Sequence, residues 1–305
     1  MQNPNNSLNK SQEGIALITV MLILAVVTVA LVSMTSDRQL DIRRTQAQLR
    51  SDQLWEFEHS IESWAESQII LDDLNNSLSV NITPEGRIDA RLVDLQGRLN
   101  LNNLVSDDKV NEEEIQRLKR LFTNLDIKPE LVDAIVDWVD KDLEIRYPNG
   151  AEDEIYTSYY PAYRVANTSL ADINELLNIQ GITIKEFNKI SPFVYVSDGY
   201  EPVNVNTAEP EVLRVLAPNI KKNISESIYK ASGKPFKKIE EFFKDEAMSG
   251  ISVNKSTVSV ESNNYLLSGV ISMGQSFFEF QAQFKKNKTG LVTVVKRYRR
   301  SLQSG

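Results

Sequence analysis

The sequence predicts an α+β fold in which a long amino-terminal helix packs on an antiparallel sheet and a large helical domain is inserted between strands. Three observations predict it. A helix-compatible pattern runs from Ile15 to Leu74 without proline or glycine. Strand-like alternation stands on both sides of the chain's middle, once before it and three times after it. Between them, from Asn111 to about Phe243, apolar residues recur at helical spacing in short runs.

The first element opens on an apolar run. From Ile15 to Val32 only Thr19 and Thr28 are even mildly polar. With Ser33 and Met34 the run reaches the roughly 20 residues that cross a bilayer as a helix. Ser33-Met34-Thr35-Ser36 follows a core of full spanning length, which argues against removal after the core as in a secretory signal. Beyond it Leu40, Ala47, Leu54 and Ile61 recur every seven residues, with Phe57, Trp64 and Leu71 as a companion row. Arg43 and Arg50 interrupt that second row, so the apolar face matures only from Leu54 onward. Its second half therefore needs a packing partner.

Strand signals come next. Thr83-Pro84-Glu85-Gly86 is a turn, and the residues from Arg87 to Asp94 alternate apolar and polar. In the helical block Ile115, Leu118, Leu121 and Phe122 share one face, and Leu131, Ile135, Trp138 and Val139 another. At the far end, residues 265–272, 277–284 and 291–298 read as three strands with short loops, the last after the turn Lys286-Asn287-Lys288-Thr289-Gly290. Such a succession favours an antiparallel meander. The early strands and the meander complete one sheet over the apolar face of Leu54 to Leu71.

The 305 residues are 41% hydrophobic and 25% charged, enough for a membrane helix and two modest cores. The net charge of −8 disfavours generic nucleic-acid binding. There is no cysteine, hence no disulfide or thiolate chemistry. His59, the only histidine, lies on the long helix, so nucleophile–histidine arrangements lack their parts and the protein reads as non-enzymatic.

Between Asp133 and Glu154 there are eight acidic residues against Lys141 and Arg146, a net −6. Tyr147-Pro148-Asn149-Gly150 is a bend inside this window. Calcium takes six to eight oxygens from flexible backbone, and the spacing is not that of an EF-hand. A solvated acidic loop and a cation site both satisfy the pattern.

The leader and the acidic window carry a family resemblance. Glu13-Gly14-Ile15 places a glycine immediately before the apolar run, which resembles the processing site of type IV pilins and type II secretion pseudopilins. The resemblance implies cleavage by the prepilin peptidase between Gly14 and Ile15, with methylation. Most pilins carry glutamate at the fifth mature position, here Thr19. Its absence resembles the K class of minor pseudopilins, held to sit at the filament tip, where no neighbouring amino terminus needs neutralising. The runs Asp137-Trp138-Val139-Asp140-Lys141-Asp142, Gly150 to Tyr156 and Tyr163 to Asn167 are similar to the signature of that class. Some of its members bind calcium, and the resemblance implies Asp137, Asp140, Asp142, Glu152 and Asp153 as ligands.

The expected organisation is a leader over residues 1–14, a membrane and filament-core helix over 15–36, a pilin-like part over 37–105, an inserted helical domain over 106–250 and closing strands over 251–305. Lys10 precedes the apolar run while Arg38, Arg43 and Arg44 follow it, so the positive-inside rule alone leaves the body in the cytoplasm. Large following domains weaken that rule, and the resemblance implies a bacterial inner-membrane protein with a periplasmic body. It further implies partners among the other minor pseudopilins and a role in initiating or capping pseudopilus assembly for protein export.

An alternative rests on two pieces similar to helix-hairpin-helix units, Leu176 to Ile182 and Val203 to Leu213. Thr207 is the expected N-cap of the helix that holds Pro210 in its first turn. A membrane-anchored DNA-binding protein would use such units on phosphates. Here Thr183 replaces the second glycine of the motif, and residues 167–230 hold eight acids against six bases.

Overall fold

The computed structural model describes residues 6–71, 77–84, 86–231, 233–274 and 276–303. The start of the leader, Asp72 to Leu74 and Glu85, on which some sequence expectations fall, lie outside the described residues. The chain divides into two compact units, residues 1–61 and 62–305.

Helix α1 (Asn6–Leu71) begins in the first unit and ends in the second. Its apolar stretch carries the hydroxyls of Thr19, Thr28 and Thr35, which donate to the carbonyls of Ala16, Leu24 and Leu31 at 2.9, 2.7 and 2.8 Å. Each of these three hydroxyls is thus satisfied by its own helix, as hydrocarbon surroundings require. In the second unit, Glu62, Ala65 and Ile69 are the buried residues of α1, whereas Trp64 is half-buried and Leu71 exposed. The heptad row that was expected to carry Leu71 inward drifts by about 20° per repeat on a straight helix. Glu62 faces the same side and forms a two-pronged ion pair with Arg297, at 2.6 and 3.0 Å.

Five strands form one antiparallel sheet in the order β1 (Ser77–Thr83), β2 (Gly86–Asp94), β3 (Asn264–Met273), β4 (Ser276–Lys286) and β5 (Val292–Gln303). Residues 95–263 lie between two neighbouring strands: β2 pairs directly with β3, Ile88 opposite Ile271 and Asp94 opposite Tyr265. Alternation in β2 buries Ile88, Ala90 and Leu92 on one face and leaves Arg87, Asp89 and Arg91 on the other. From β4, Phe280, Ala282 and Phe284 join the buried face. The meander is as expected, with β4 and β5 joined by a turn whose Gly290 adopts φ +86°.

The insert builds its own core, drawn from residues between Leu99 and Val258. Helix α2 (Glu112–Asn124) buries Ile115, Leu118, Leu121 and Phe122, and helix α3 (Leu131–Val139) buries Ile135, Trp138 and Val139. A short turn of helix, α4 (Asp153–Tyr156), follows, then α5 (Ile184–Ile190), α6 (Pro210–Leu213), α7 (Lys222–Ala231) and α8 (Ile239–Lys244). The N-cap of α6 is Glu209, with Pro210 at its first position, and not Thr207 as expected. Thr207 is used elsewhere: its hydroxyl donates to the buried carboxylate of Asp94.

Candidate functional site

Helix α3 ends where Asp140 turns to extended backbone, φ −72° and ψ 169°, its N–H still donating to Val136 at 2.8 Å. The following loop curls back over the helix. The Arg146 N–H donates to both oxygens of Asp137 at 3.1 and 3.3 Å, and Gly150 N–H donates to the Arg146 carbonyl at 2.7 Å. This fold-back needs a glycine. A Cβ at position 150 would stand 2.1 Å from Asp137 Oδ2 and 2.4 Å from the Arg146 carbonyl oxygen. The loop re-enters the fold at Glu152, which precedes α4 without capping it.

The acids of this window divide by burial and by partner. Asp133 is fully buried and is answered by Lys119 Nζ at 2.7 Å, with Arg146 Nε at 3.6 Å. Asp137 is fully buried and takes backbone amides. Asp140 and Glu152 are 7% and 4% exposed, and Asp140 Oδ1 and both Glu152 carboxylate oxygens are buried without hydrogen-bond partners. Asp142 lies exposed, accepting from Glu144 N–H at 2.9 Å. Asp153 sits at the rim, accepting from Val165 N–H at 3.1 Å.

Burial, first, raises the carboxyl pKa values of Asp137 and Asp140 to about 6 and that of Glu152 to about 7. Mutual repulsion adds to it. Asp142 and Asp137 act on Asp140, and Asp137, Asp140, Asp142 and Asp153 act on Glu152. The structure therefore brings the five expected residues into one electrostatic cluster, with Asp137, Asp140 and Glu152 inside and Asp142 and Asp153 at its edge. Among the described residues no group of three or more acidic or histidine side chains stands close enough together to hold a metal ion. The orphaned oxygens of Asp140 and Glu152 nonetheless have the chemistry a hard cation takes, because unpaired buried carboxylates are costly.

Beneath the loop lies an aromatic wall that the helical periodicity did not reveal. Trp138 meets Tyr156 edge-on at 5.2 Å between ring centroids, and Tyr156 meets Tyr163 at 5.3 Å. These rings come from the three segments whose sequence resembles the K-class signature.

The helix-hairpin-helix resemblance resolves differently. Thr183 caps α5, and the Glu186 side chain returns to the Thr183 N–H at 3.2 Å in a reciprocal capping box. A carboxylate occupies the position where a phosphate would bind.

Two family profiles match the chain, both described as type II secretion system (T2SS), protein K, over residues 97–199 and 203–261. The protein K of Klebsiella pneumoniae is 33% identical over 69% of this chain and 71% of its own length. The chain belongs to the type II secretion system protein K family. The protein K of Pseudomonas aeruginosa is 29% identical, covering 95% of this chain and 93% of its own. A chain in the crystal structure of the GspK-GspI-GspJ complex of the enterotoxigenic Escherichia coli type 2 secretion system shares the fold. It has a TM-score of 0.73 at 21% identity, covering 84% of this chain and 99% of that one. The long helix, antiparallel sheet and helical insert are thus the protein K architecture, and the DNA-capture alternative receives no support.

Among the described residues the chain has one helix apolar and long enough to cross a membrane. Its large apolar side chains, such as Leu22, Leu24 and Val29, are 63–69% exposed around the whole circumference. Among them Thr19 presents no unsatisfied polar group.

Proposed function

We propose that this protein K is a minor pseudopilin at the tip of the type II secretion pseudopilus, cleaved between Gly14 and Ile15 and held in the inner membrane with its body in the periplasm. The observation that carries this reading is a spanning apolar helix leading into a body of protein K architecture. The apolar helix supplies the lateral packing surface of a filament subunit, and the bulky insert obstructs addition of a further subunit above. The role is structural: initiating or capping assembly.

The partners proposed are other minor pseudopilins, by analogy with the GspK-GspI-GspJ complex. Co-expression with the two other minor pseudopilins from the same secretion system, followed by affinity purification in detergent, is expected to recover a three-component complex whose protein K starts at Ile15 by mass spectrometry. Recovery of protein K alone, or a mature terminus elsewhere, would sink the assignment.

The acidic cluster is proposed as a calcium site held by Asp140 and Glu152, with Asp137, Asp142 and Asp153 as further ligands. The unpartnered oxygens of Asp140 and Glu152 support this. A bound cation supplies the positive charge that the buried carboxylates lack and fixes the loop against α3.

A further inference from the structure

The outer face of the sheet, opposite its buried face, meets the insert along an open trough of about 940 Å3. All five strands contribute to it, as do Asn174 and Tyr195 from the insert. Five basic and three acidic side chains line it, in a chain whose net charge is −8. The acids are largely spoken for. Asp89 receives Arg87 and Ser79, and Asp172 receives Asn174 and the Tyr298 hydroxyl.

Arg91 and Arg98 are among the bases that are not. Arg91 and Arg98 make no side-chain hydrogen bond or ion pair with any described residue, although Arg98 is half-buried. Burial lowers the Arg98 pKa, the charges of Glu209 and Asp94 oppose that, and Arg91 lowers it by the smallest amount. A third polar group in the trough is also unanswered: the hydroxyl of Tyr195, a residue only 4% exposed, is buried without a partner. Two guanidinium groups and a phenol lining one trough offer the donors that a carboxylate takes.

We infer that this trough docks an extended acidic peptide segment of a partner protein, with Arg91, Arg98 and Tyr195 taking a carboxylate. The extent of the trough favours a peptide over a lone anion. Beyond the arginines, Gln281 lines it with an amide that can both donate to and accept from a peptide backbone, while Asn174 and Gln283 already donate to Asp172 and the Val196 carbonyl. The inference stands apart from the tip assignment and from the calcium site.

The test uses the full chain in detergent micelles and a fluorescently labelled peptide alternating glutamate with serine, followed by anisotropy. Saturable binding is expected, together with weakening of about tenfold in either Arg91→Gln or Arg98→Gln and of about threefold in Tyr195→Phe. A peptide alternating lysine with serine should not bind. Absence of saturable binding, equal binding of the lysine peptide, or unchanged affinity in folded Arg91→Gln would each overturn the inference. Arg91 is exposed on the sheet, so its variant remains informative even where Arg98→Gln fails to fold. Displacement of the peptide by equimolar inorganic phosphate, or preference for phosphatidylglycerol vesicles, would assign the arginines to phosphate and overturn the peptide.

Discussion

Asp140 and Glu152 decide what the acidic window does. Their folded pKa values, about 6 and about 7, lie above the ordinary carboxylate range of the unfolded chain. Stability that depends on their being protonated is therefore fully present below about pH 4 and lost as pH rises through 6 and 7. The proposed calcium ion would take the deprotonated forms, so the stabilisation expected from it grows across the same interval. With calcium at about a hundredfold excess over its Kd, the melting temperature is expected to rise by roughly 5–10 °C near pH 8, and by much less near pH 5. The double variant Asp140→Ala, Glu152→Ala should lose the calcium shift, and a calcium shift that survives it removes the site. The sequence shows the density of acids but not their division of labour. The oxygens of Asp133 are orphaned of hydrogen bonds as well, but Lys119, fourteen positions away on another helix, pairs its charge, and spacing alone does not separate that acid from the two with no ion pair. Gly150 was legible as a turn residue, yet the structure requires glycine for the close approach to Asp137.

At the scale of elements, the insert is fastened where it leaves and rejoins the sheet. Asp94, the last residue of β2, accepts from Gln96 N–H at 2.8 Å, Ser262 at 2.6 Å, Asn204 at 2.9 Å and the Thr207 hydroxyl. Gln96 in turn accepts from the N–H of Asn264, the first residue of β3, at 3.2 Å. One buried carboxylate thus gathers donors from both roots of the insert and from the loop before α6. Removing it strands those donors, each at about 1–3 kcal/mol. Asp94→Ala is expected to destabilise the protein by about 3–5 kcal/mol in urea unfolding followed by tryptophan fluorescence, and a loss below about 1 kcal/mol would show the clasp to be dispensable. The strands and the amphipathic helices were legible because alternation and helical spacing are local signals. The clasp was not, since Thr207 and Pro210 make a plausible helix start until Asp94, 113 positions earlier, claims the hydroxyl.

At the scale of the whole molecule, the tip assignment turns on what the apolar helix leaves unpaired. A subunit within a filament would need a carboxylate to meet the free amino terminus of its neighbour, since an unpaired charge in an apolar core is expensive. Thr19 offers only a hydroxyl, already donated to the Ala16 carbonyl at 2.9 Å, and no carboxylate to meet an amino terminus. Thr19→Val is accordingly expected to support export at the wild-type level when it complements a strain lacking this protein, read as the secreted fraction of a reporter enzyme. Thr19→Glu places a carboxylate with no assigned partner in the spanning stretch, at a cost of about 2.5–3.5 kcal/mol near the helix centre and less toward its end. It should lower the amount of membrane-inserted protein, and it should not improve export. The opposite ranking, with Thr19→Val inactive and Thr19→Glu active, would mean that position 19 pairs with a neighbour and that this protein lies within the filament instead of at its end.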